Sequence, residues 1–289
     1  MDYVNGQDLV DTKWLKEHLD DNSVKVLDAT WYLPSLKRDG EAEFLEAHIP
    51  GSVHFNIDKI ADTNSALPHM LPSEMQFSSQ VEKLGISNFH NIIVYDKNGG
   101  FSAAARVWWM FRVFGHKNVS ILNGGFVKWV FENRETESGQ KNYEQVNYMA
   151  DFNTNLVCSL DELVINLETK TEQVLDGRSS GRFYGAEREP REGLPSGHIP
   201  NSLNVPVLEL FEETDNMVLK SPEKLKKSFL DAGVDLDKPI VTTCGSGVTA
   251  AALSFALFLL GHRETRVYDG SWTEWGGNKS LPKSSLGRV

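Results

Sequence analysis

The chain has 289 residues, enough for about two domains, and an ordinary globular composition with 40% hydrophobic and 24% charged residues. Its net charge of −11 argues against nucleic acid or an anionic membrane as the main partner, and two cysteines are too few for a disulfide framework, which indicates a reducing, intracellular compartment. The longest apolar run, 248–260, is too short to cross a bilayer, and the N-terminus has the features of neither a signal peptide nor a transit peptide.

Predicted elements occur along the chain in two similar series. The first contains strands at 24–29 and 91–96, a His48-Ile49-Pro50 turn between them, and a helix from Ser102 to Phe114. The second contains strands at 173–177 and 240–243, a His198-Ile199-Pro200 turn, and a helix from Ala251 to Leu260. The spacing between equivalent positions changes by only a few residues over half the chain, so the sequence indicates a duplicated domain.

The boundary between the two copies falls in a polar stretch without clear periodicity. We predict a first domain at 1–135, a linker at 136–155 and a second domain at 156–289. In each copy short apolar strands alternate with helical segments, such as Leu9 to Leu19 and Pro222 to Ala232. That alternation predicts the α/β class, with helices packed on a mainly parallel sheet in each domain.

Features present in both copies are more easily explained by folding than by function. His48 and His198 could act as bases, but their repetition favours a structural role in which each imidazole satisfies the backbone of its turn. Asp28 and Asp176, at the ends of equivalent strands, receive the same interpretation. The aromatic residues within 107–111 are expected to pack in the core of a buried helix.

Cys244 is present in only one copy. Alignment of the halves puts Lys97 at the corresponding position, so we expect a single active site, in the second domain. The cysteine follows the strand 240–243 and precedes a helix, with Gly245 and Gly247 in the loop. Ligands bind at such strand ends, and the glycines let successive amides converge into an anion-binding nest at the helix N-terminus. Such a nest favours the thiolate and creates a nucleophile; the alternative is a buried structural cysteine.

A second unrepeated stretch, 181–193, contains Arg182 and Arg191. Guanidinium groups clamp carboxylates well because their planar fork donates two parallel hydrogen bonds. Two arginines that converge on one pocket could therefore bind a carboxylate substrate. A salt-bridged surface loop is the alternative, because spacing alone does not separate the two.

The duplicated His-Ile-Pro turn, the segment 269–275 (Asp-Gly-Ser-Trp-Thr-Glu-Trp) and the single cysteine together resemble the two-domain rhodanese sulfurtransferases, over nearly the whole chain. The loop 244–250, Cys-Gly-Ser-Gly-Val-Thr-Ala, resembles that of the members that use 3-mercaptopyruvate. Members that use thiosulfate carry basic residues where Gly245 and Ser246 stand. The resemblance implies two rhodanese-like domains, sulfur carried on Cys244 as a persulfide, and no cofactor or metal.

The resemblance also implies roles for individual residues. Arg182 and Arg191 match the substrate-binding arginines of the family. Ser246 is implied to form a catalytic relay with His69 and Asp58 of the first half, which would place the site between the domains. The further substrate-binding positions implied by the loop are Gly245, Gly247, Val248 and Thr249.

The chemistry of sulfur transfer from 3-mercaptopyruvate is compatible with these residues. Cys244 would attack the thiol sulfur, pyruvate would leave as its enolate, and the arginines would hold the carboxylate and polarise the carbonyl. The persulfide would pass its outer sulfur to a thiol acceptor, such as thioredoxin or a small thiol, or to cyanide. The neutral Gly245–Ser246 pair fits a substrate with one carboxylate better than it fits the thiosulfate dianion.

Three other functions agree less well with the sequence. A thiosulfate:cyanide sulfurtransferase is the nearest, and the uncharged loop argues against it. A phosphatase on a related fold would need an arginine where Ala250 stands. A non-catalytic interaction module predicts no reactive cysteine.

Three features receive only a general expectation. Cys158, near the start of the second domain, is expected to be a small buried residue. The segment before Arg106 lacks the tyrosine and proline that many relatives carry there, so no substrate contact is predicted from it. Because relatives occur in both compartments, we expect a cytoplasmic protein, with mitochondria as the alternative.

Overall fold

The computed structural model describes residues 2–99, 102–141, 143–212 and 216–285. The outermost residues of the two predicted domains, Met1 and 286–289, lie outside the described residues. Within these ranges the chain forms two five-stranded sheets, each with parallel strand pairs and flanking helices. The predicted α/β class is confirmed. No helix in these ranges is long and apolar enough to cross a membrane.

The first sheet is built from the first half of the chain. Its elements are β1 Leu9–Val10, α1 Thr12–His18, β2 Val24–Asp28, α2 Gly40–Glu46, β3 Val53–His54, α3 Glu74–Lys83, β4 Asn91–Tyr95, α4 Ser102–Val113, β5 Val119–Leu122 and α5 Gly125–Phe131. The strands lie in the order β1-β5-β4-β2-β3, so β4 is central.

The second sheet repeats this arrangement. Its elements are β6 Val157–Cys158, α6 Leu160–Thr169, β7 Gln173–Asp176, α7 Ser180–Tyr184, β8 Leu203–Asn204, α8 Pro222–Asp231, β9 Ile240–Thr243, α9 Val248–Leu259, β10 Thr265–Tyr268 and α10 Ser271–Gly277. The order β6-β10-β9-β7-β8 puts β9 in the central place that β4 has in the first sheet. Short 3-10 helices lie at Gly6–Asp8, Pro34–Leu36, Thr154–Leu156 and Val207–Leu210.

The helix predicted from Leu9 to Leu19 needs a correction at its start. Its first two residues form β1, which pairs with β5, so they belong to the sheet. The helix begins at Thr12 because the Asp11 side chain accepts a hydrogen bond of 2.7 Å from Trp14 N and caps the first turn. The capping residue therefore separates an edge strand from a helix within one apolar segment.

The alignment of the two halves also needs a correction, at the end of the central strands. Asp28 lies opposite the last residue of β4, and Asp176 lies opposite the last residue of β9. The residues that follow these strands, Asp96 and Cys244, therefore occupy equivalent places. The prediction that Lys97 replaces the cysteine is wrong by one position, because the loop before α4 is longer than the loop before α9.

The two domains pack against each other through α4 and α9. The Trp108 ring on α4 contacts Phe255 and Phe258 on α9, with centroids 4.8 and 5.3 Å apart. One apolar cluster runs from the first sheet through both helices to the second sheet, so packing fixes the relative position of the domains. The residues at 107–111 are all buried, which confirms their predicted place in the core.

The repeated histidines have the same structural role in both domains. His48 Nδ1 lies 2.8 Å from Phe44 O, and His198 Nδ1 lies 2.8 Å from Phe183 O. Each imidazole stacks on the ring of the same phenylalanine, with centroids 4.1 and 3.9 Å apart. A structural role is thus confirmed for both histidines, but the predicted partner is wrong: each imidazole bonds a carbonyl of the preceding helix and not the backbone of its own turn.

The segment 136–155, predicted as a linker, runs along the first domain. Tyr143 Oη donates a hydrogen bond of 2.9 Å to Gly51 O. Tyr148 is buried, and its ring stacks on His116. The described part of this segment thus packs against the first domain, and the boundaries drawn around it stay a proposal.

Candidate active site

Cys244 follows the last residue of β9 and is held from the side of α10. Its N–H donates to Ser271 Oγ at 3.2 Å, and its carbonyl accepts from Trp272 N at 2.9 Å. The carbonyl of Gly245 accepts from Thr273 N at 2.9 Å and from Thr273 Oγ1 at 2.6 Å. These contacts fix the backbone of the loop and leave Cys244 only 2% exposed.

The other side of the loop presents backbone amides. Because C=O and N–H point in opposite directions in a trans peptide, the amides of Gly245 and Ser246 point away from α10. Among the described residues, no acceptor receives a hydrogen bond from the amides of Gly245, Ser246 or Gly247. The helix dipole of α9, which begins at Val248, adds to these donors. The loop therefore has the backbone arrangement of the predicted anion-binding nest.

The first domain shows what such a loop binds. Asp96, equivalent to the cysteine, accepts hydrogen bonds from the amides of Asn98, Ala103 and Ala104 at 3.1, 3.0 and 3.0 Å. Its carbonyl accepts from Phe126 N at 3.1 Å, as that of the cysteine accepts from α10. A carboxylate of the chain itself thus occupies the anion position at the start of α4. In the second domain the equivalent side chain is a thiol, whose sulfur can carry the negative charge instead.

The two loop glycines are needed for different reasons. Gly247 has a φ of 77°, and a Cβ added there would lie 2.8 Å from Asp269 O. A Cβ added to Gly245 would lie 3.0 Å from Arg182 Nη2 and 3.6 Å from Arg191 Nη1. The missing side chain at position 245 therefore allows two guanidinium groups to approach the loop.

Arg182 is oriented by a buried carboxylate. Its Nη2 lies 2.5 Å from Glu189 Oε2, and Arg178 Nη1 lies 2.7 Å from Glu189 Oε1. Arg178 in turn forms an ion pair of 2.5 Å with Asp176, at the end of β7. This series of contacts ties the arginine-bearing loop to the sheet. The side chain of Arg182 is only 19% exposed, so the alternative of a solvated surface loop does not apply to it.

Arg191 lies at the centre of the site. Its Nη2 donates a hydrogen bond of 3.1 Å to Ser246 Oγ. Burial lowers the pKa of Arg191, and the nearby Cys244 and Asp58 oppose that change, whereas Arg182 adds to it. The structure thus brings both predicted arginines together at the cysteine loop.

His69 and Asp58 are in contact on the first-domain side. Asp58 Oδ1 lies 2.8 Å from His69 Nδ1, and Trp31 Nε1 donates to Asp58 Oδ2 at 2.9 Å. Burial lowers the pKa of His69, and the Asp58 carboxylate offsets part of that change. His69 Nε2 is buried and has no hydrogen-bond partner among the described residues. The geometry suits a neutral imidazole with one nitrogen available for a proton.

The relay predicted from Ser246, His69 and Asp58 is only partly assembled. Asp58 and His69 are paired, but in the described structure the hydroxyl of Ser246 bonds Arg191 and forms no hydrogen bond with His69. Arg191 is close to both groups, since its charge adds to burial in lowering the pKa of His69. Arg191 therefore bonds Ser246 directly and acts on the Asp58–His69 pair through its charge.

A cavity of about 270 Å³ lies between the domains at this point. From the second domain it is lined by Cys244, Arg182, Arg191 and the loop positions Gly245, Ser246, Val248 and Thr249. Trp31, Tyr32, Arg38 and Asn98 contribute to the wall from the first domain. The described residues that line it do not include Asp58, His69 or Gly247. The site is thus interdomain and has the size for a small molecule.

Four residues that contact parts of the site were not predicted: Trp31 and Glu189, described above, and Arg106 and Asp269, which bond the backbone of His69 and Leu71. Glu189 stands between the two predicted arginines in the sequence, so a contact with them could have been expected. Trp31 and Arg106 give no such signal. From the sequence alone, an aromatic residue, or an arginine with apolar neighbours, can lie either in the core or at the surface. Asp269 lies in the motif that carries the resemblance, but the motif does not name its partner.

The second cysteine has a different environment. Cys158 is 2% exposed, and burial raises its pKa to about 12, which agrees with the predicted small buried residue. In the part of the chain that the structure describes, no group of three or more His, Cys, Asp or Glu residues is placed to hold a metal ion.

The fold and the site together define a duplicated α/β protein whose second copy holds a buried cysteine in a glycine loop at a strand end, beside two arginines. The family of the Rhodanese-like domain matches residues 11–132 and 159–278. The chain therefore belongs to the rhodanese family, and the resemblance found in the sequence is confirmed.

Comparison with individual relatives shows the kind of reaction that members similar to this chain are named for. The chain is 43% identical over 272 residues to 3-mercaptopyruvate sulfurtransferase of Mus musculus, covering 92% of this chain and 91% of the relative. It is also 43% identical over 273 residues to thiosulfate sulfurtransferase of Rattus norvegicus, covering 92% of this chain and 91% of that relative. The crystal structure of SseA from Escherichia coli, a 3-mercaptopyruvate sulfotransferase, has a TM-score of 0.84 at 38% identity, covering 92% of this chain and 98% of that one. The chain is a sulfurtransferase.

Proposed function

We propose that this sulfurtransferase takes sulfur from 3-mercaptopyruvate onto Cys244, releases pyruvate and passes the sulfur to a thiol acceptor. The observation that carries the proposal is an uncharged Gly245–Ser246 loop with the guanidinium groups of Arg182 and Arg191 in one small cavity beside the cysteine. Such a site suits a small substrate with a single carboxylate. The mouse relative bears the name of this activity.

The two arginines differ in how their charges are balanced. Arg182 has an ion pair with Glu189, whereas no carboxylate of the described residues forms an ion pair with Arg191. We therefore expect the substrate carboxylate on Arg191. Arg182 is then placed to polarise the substrate carbonyl, where negative charge develops as the enolate forms.

In the first half-reaction the Cys244 thiolate attacks the substrate sulfur. The S–S bond forms as the C–S bond breaks, and the electron pair of the C–S bond becomes the enolate of pyruvate. The proton of the substrate thiol moves to the enolate carbon, which gives pyruvate and a persulfide anion on Cys244. The amides of the loop and the start of α9 stabilise that anion.

The proton transfer is assigned to the residues that the first domain supplies. A neutral His69 can accept the thiol proton at Nε2, and Asp58 stabilises the imidazolium that results. Ser246 is the group of the cysteine loop that can pass the proton between substrate and imidazole. The same path returns it to the carbon of pyruvate.

In the second half-reaction an acceptor thiolate attacks the outer sulfur and the Cys244 thiolate leaves. Because Cys244 is 2% exposed, the acceptor has to insert its thiol into the cavity. We propose thioredoxin or a small thiol as the acceptor, and cyanide as a substitute in an assay.

Thiosulfate is the competing donor. Overall identity does not separate the two, because the mouse and rat relatives with the two activity names are both 43% identical to this chain. The charge of the loop favours 3-mercaptopyruvate over thiosulfate. Gly245 and Ser246 provide no positive charge to bind the thiosulfate dianion, and a side chain at position 245 would displace Arg182.

The test is steady-state pyruvate release from 3-mercaptopyruvate with dithiothreitol as acceptor, next to a thiosulfate:cyanide assay. Wild type is compared with Cys244→Ser, and Cys158→Ala is the matched control for removal of a buried thiol. We expect turnover with 3-mercaptopyruvate to dominate, to vanish in Cys244→Ser and to persist in Cys158→Ala. A higher kcat/KM with thiosulfate would contradict the proposed donor but leave Cys244 as the nucleophile.

We also propose a cytosolic location, with mitochondria as the alternative, supported by two cysteines that are both free. Fractionation of cells that express the tagged full chain tests this. The division into 1–135, 136–155 and 156–289 is likewise a proposal.

A further inference from the structure

A buried ion pair joins the two domains next to the active site. Arg106, on α4 of the first domain, is 0% exposed, and its Nη1 lies 2.6 Å from Asp269 Oδ1 of the second domain. Neither residue is among those that line the cavity with Cys244. The pair is therefore placed to act on the site through other residues.

One side of this pair holds the segment that carries His69. Arg106 Nη2 donates to His69 O, and Asp269 Oδ2 accepts from Leu71 N at 2.8 Å. His69 has a φ of 60°, a left-handed conformation that a non-glycine residue adopts only with support from its surroundings. Arg106 supplies that support from within the first domain, and Asp269 supplies it across the domain interface.

The other side of the pair contacts the cysteine loop. A Cβ added to Gly247 would lie 3.0 Å from Arg106 Nη1 and 3.0 Å from Asp269 Oδ1. Gly247 ends the loop that starts at Cys244 and precedes the first turn of α9. The same two side chains thus contact both halves of the active site.

We infer that Arg106 and Asp269 are positioning residues that set the Asp58–His69 pair of the first domain against the Cys244 loop of the second. The inference rests on the proposed function, in which His69 handles the proton of the reaction. It assigns neither residue a contact with the substrate.

The geometry needs these two side chain types. A lysine at position 106 retains the charge but lacks the planar fork that donates to Asp269 and to His69 O in two fixed directions. An asparagine at position 269 replaces one of the two carboxylate oxygens with an NH2 group, so it cannot accept from Arg106 at one atom and from Leu71 N at the other. Arg106→Lys and Asp269→Asn therefore change the size of the side chain little but remove hydrogen bonds to the segment that carries His69.

Arg112→Lys is the matched control. Arg112 lies on the same helix and also reaches the second domain, with its guanidinium carbon 4.3 Å from the centre of the Phe258 ring. It has no hydrogen bond to residues 69–71 within the described structure. A general effect of replacing an arginine at the interface would appear in this control as well.

The experiment measures kcat and KM with 3-mercaptopyruvate, the thermal midpoint, and the pKa of His69 by NMR titration of the imidazole, with His69→Gln for assignment. We expect kcat to fall about 10- to 100-fold in Arg106→Lys and Asp269→Asn with little change in KM, because a small displacement of a catalytic group reduces the rate steeply. The charged groups that act on His69 are Asp58, Arg106 and Arg191. Since burial is the main cause that lowers the pKa of His69, a loosened segment should let that pKa rise.

The inference is overturned if folded variants retain the wild-type kcat and the wild-type pKa of His69, or if Arg112→Lys loses as much activity. The thermal midpoint shows which variants are folded. If Asp269→Asn does not fold, Arg106→Lys alone still decides between the two outcomes. If wild type releases no pyruvate from 3-mercaptopyruvate, the proposed function fails, and the pKa of His69 in the variants still decides whether the pair positions this residue.

Discussion

Arg191 Nη2 lies 3.1 Å from Ser246 Oγ, so the arginine expected to bind substrate also holds the hydroxyl expected to move a proton. A substrate carboxylate on Arg191 would compete for the same N–H group. Ser246 Oγ would then be released toward His69, whose Nε2 has no partner among the described residues. We therefore expect substrate binding and completion of the relay to be coupled through one guanidinium group.

Arg191→Lys tests this coupling. Loss of a charge-assisted hydrogen bond should raise KM for 3-mercaptopyruvate by about 10- to 100-fold, and kcat should also fall because the relay is no longer aligned by the fork. Steady-state kinetics of pyruvate release give both constants. Arg188→Lys, an exposed arginine of the same loop, is the control and should leave both unchanged. An unchanged KM in Arg191→Lys would remove Arg191 from the binding site.

Gly245→Arg tests the origin of donor choice. The new Cβ would lie 3.0 Å from Arg182 Nη2, so Arg182 has to move, and kcat/KM for 3-mercaptopyruvate should fall about 10- to 100-fold. The added cation should favour the thiosulfate dianion, so the ratio of thiosulfate to mercaptopyruvate activity should rise.

Gly245→Ala separates the two effects at this position, because it introduces the same Cβ without a charge. It should lower the mercaptopyruvate activity and leave the thiosulfate activity where it is in wild type. If Gly245→Ala raises the thiosulfate activity as much as Gly245→Arg does, loop charge is not what selects the donor.

Asp58→Asn tests the role of the Asp58–His69 contact through pH dependence. The pKa of His69 is lowered, so its imidazole stays neutral, and able to act as a base, at pH values below the ordinary histidine pKa. On going to lower pH, kcat/KM should therefore begin to fall only below that ordinary pKa. The Asp58 carboxylate raises that pKa, so its removal should move the acid limb of kcat/KM to lower pH while the maximum falls. Glu41→Gln, which removes an exposed carboxylate of the same domain, should not move the limb. A limb that stays in place in Asp58→Asn would mean that another group controls it.

The fold and the place of Cys244 in it could be predicted from local patterns. The repeated strand and turn signals identified the duplication, and a cysteine between a β-branched strand and a glycine turn has few other interpretations. Arg182 and Arg191 were found because they lie in a stretch that only one copy has. These signals are all carried by residues close together in the chain.

What the sequence did not predict depends on contacts between distant segments. Asp269 contacts Arg106 on the other domain. Trp31 donates a hydrogen bond to Asp58, although the hydrophobic pattern of the sequence would predict that a tryptophan packs in the core. The equivalence of Asp96 and Cys244 was hidden by a difference in loop length, which only the register of the strands resolves. Spacing in the sequence does not contain this information.

Asp96 gives a prediction for the pH dependence of stability. Burial raises the pKa of Asp96 to about 6, although hydrogen bonds from the amides of Ala104, Asn98 and Ala103 act in the other direction. An aspartate in an unfolded chain has a pKa of about 3.9. The folded state therefore binds more protons than the unfolded state between about pH 4 and pH 6, and the free energy of unfolding falls as pH rises through that window.

The size of this effect is about 3 kcal/mol, from a shift of roughly two pKa units. Urea unfolding of wild type and Asp96→Asn at about pH 4.5, 5.5 and 7 should show a difference in unfolding free energy that depends on pH. Asp96→Asn lacks the titrating group, so the contribution of this group to the pH dependence should be missing in the variant. Curves for the two proteins that stay parallel across the window would contradict the prediction.

The same measurement bears on the active site, because Asp96 and Cys244 occupy equivalent places. Parallel curves would mean that the amides and the dipole of α4 stabilise the buried carboxylate enough to keep its pKa near the unfolded value. The equivalent nest before α9 would then stabilise a persulfide anion on Cys244 by a comparable amount. A large pH-dependent difference would mean that burial outweighs the nest, and the persulfide anion would need the charges of Arg182 and Arg191 as well.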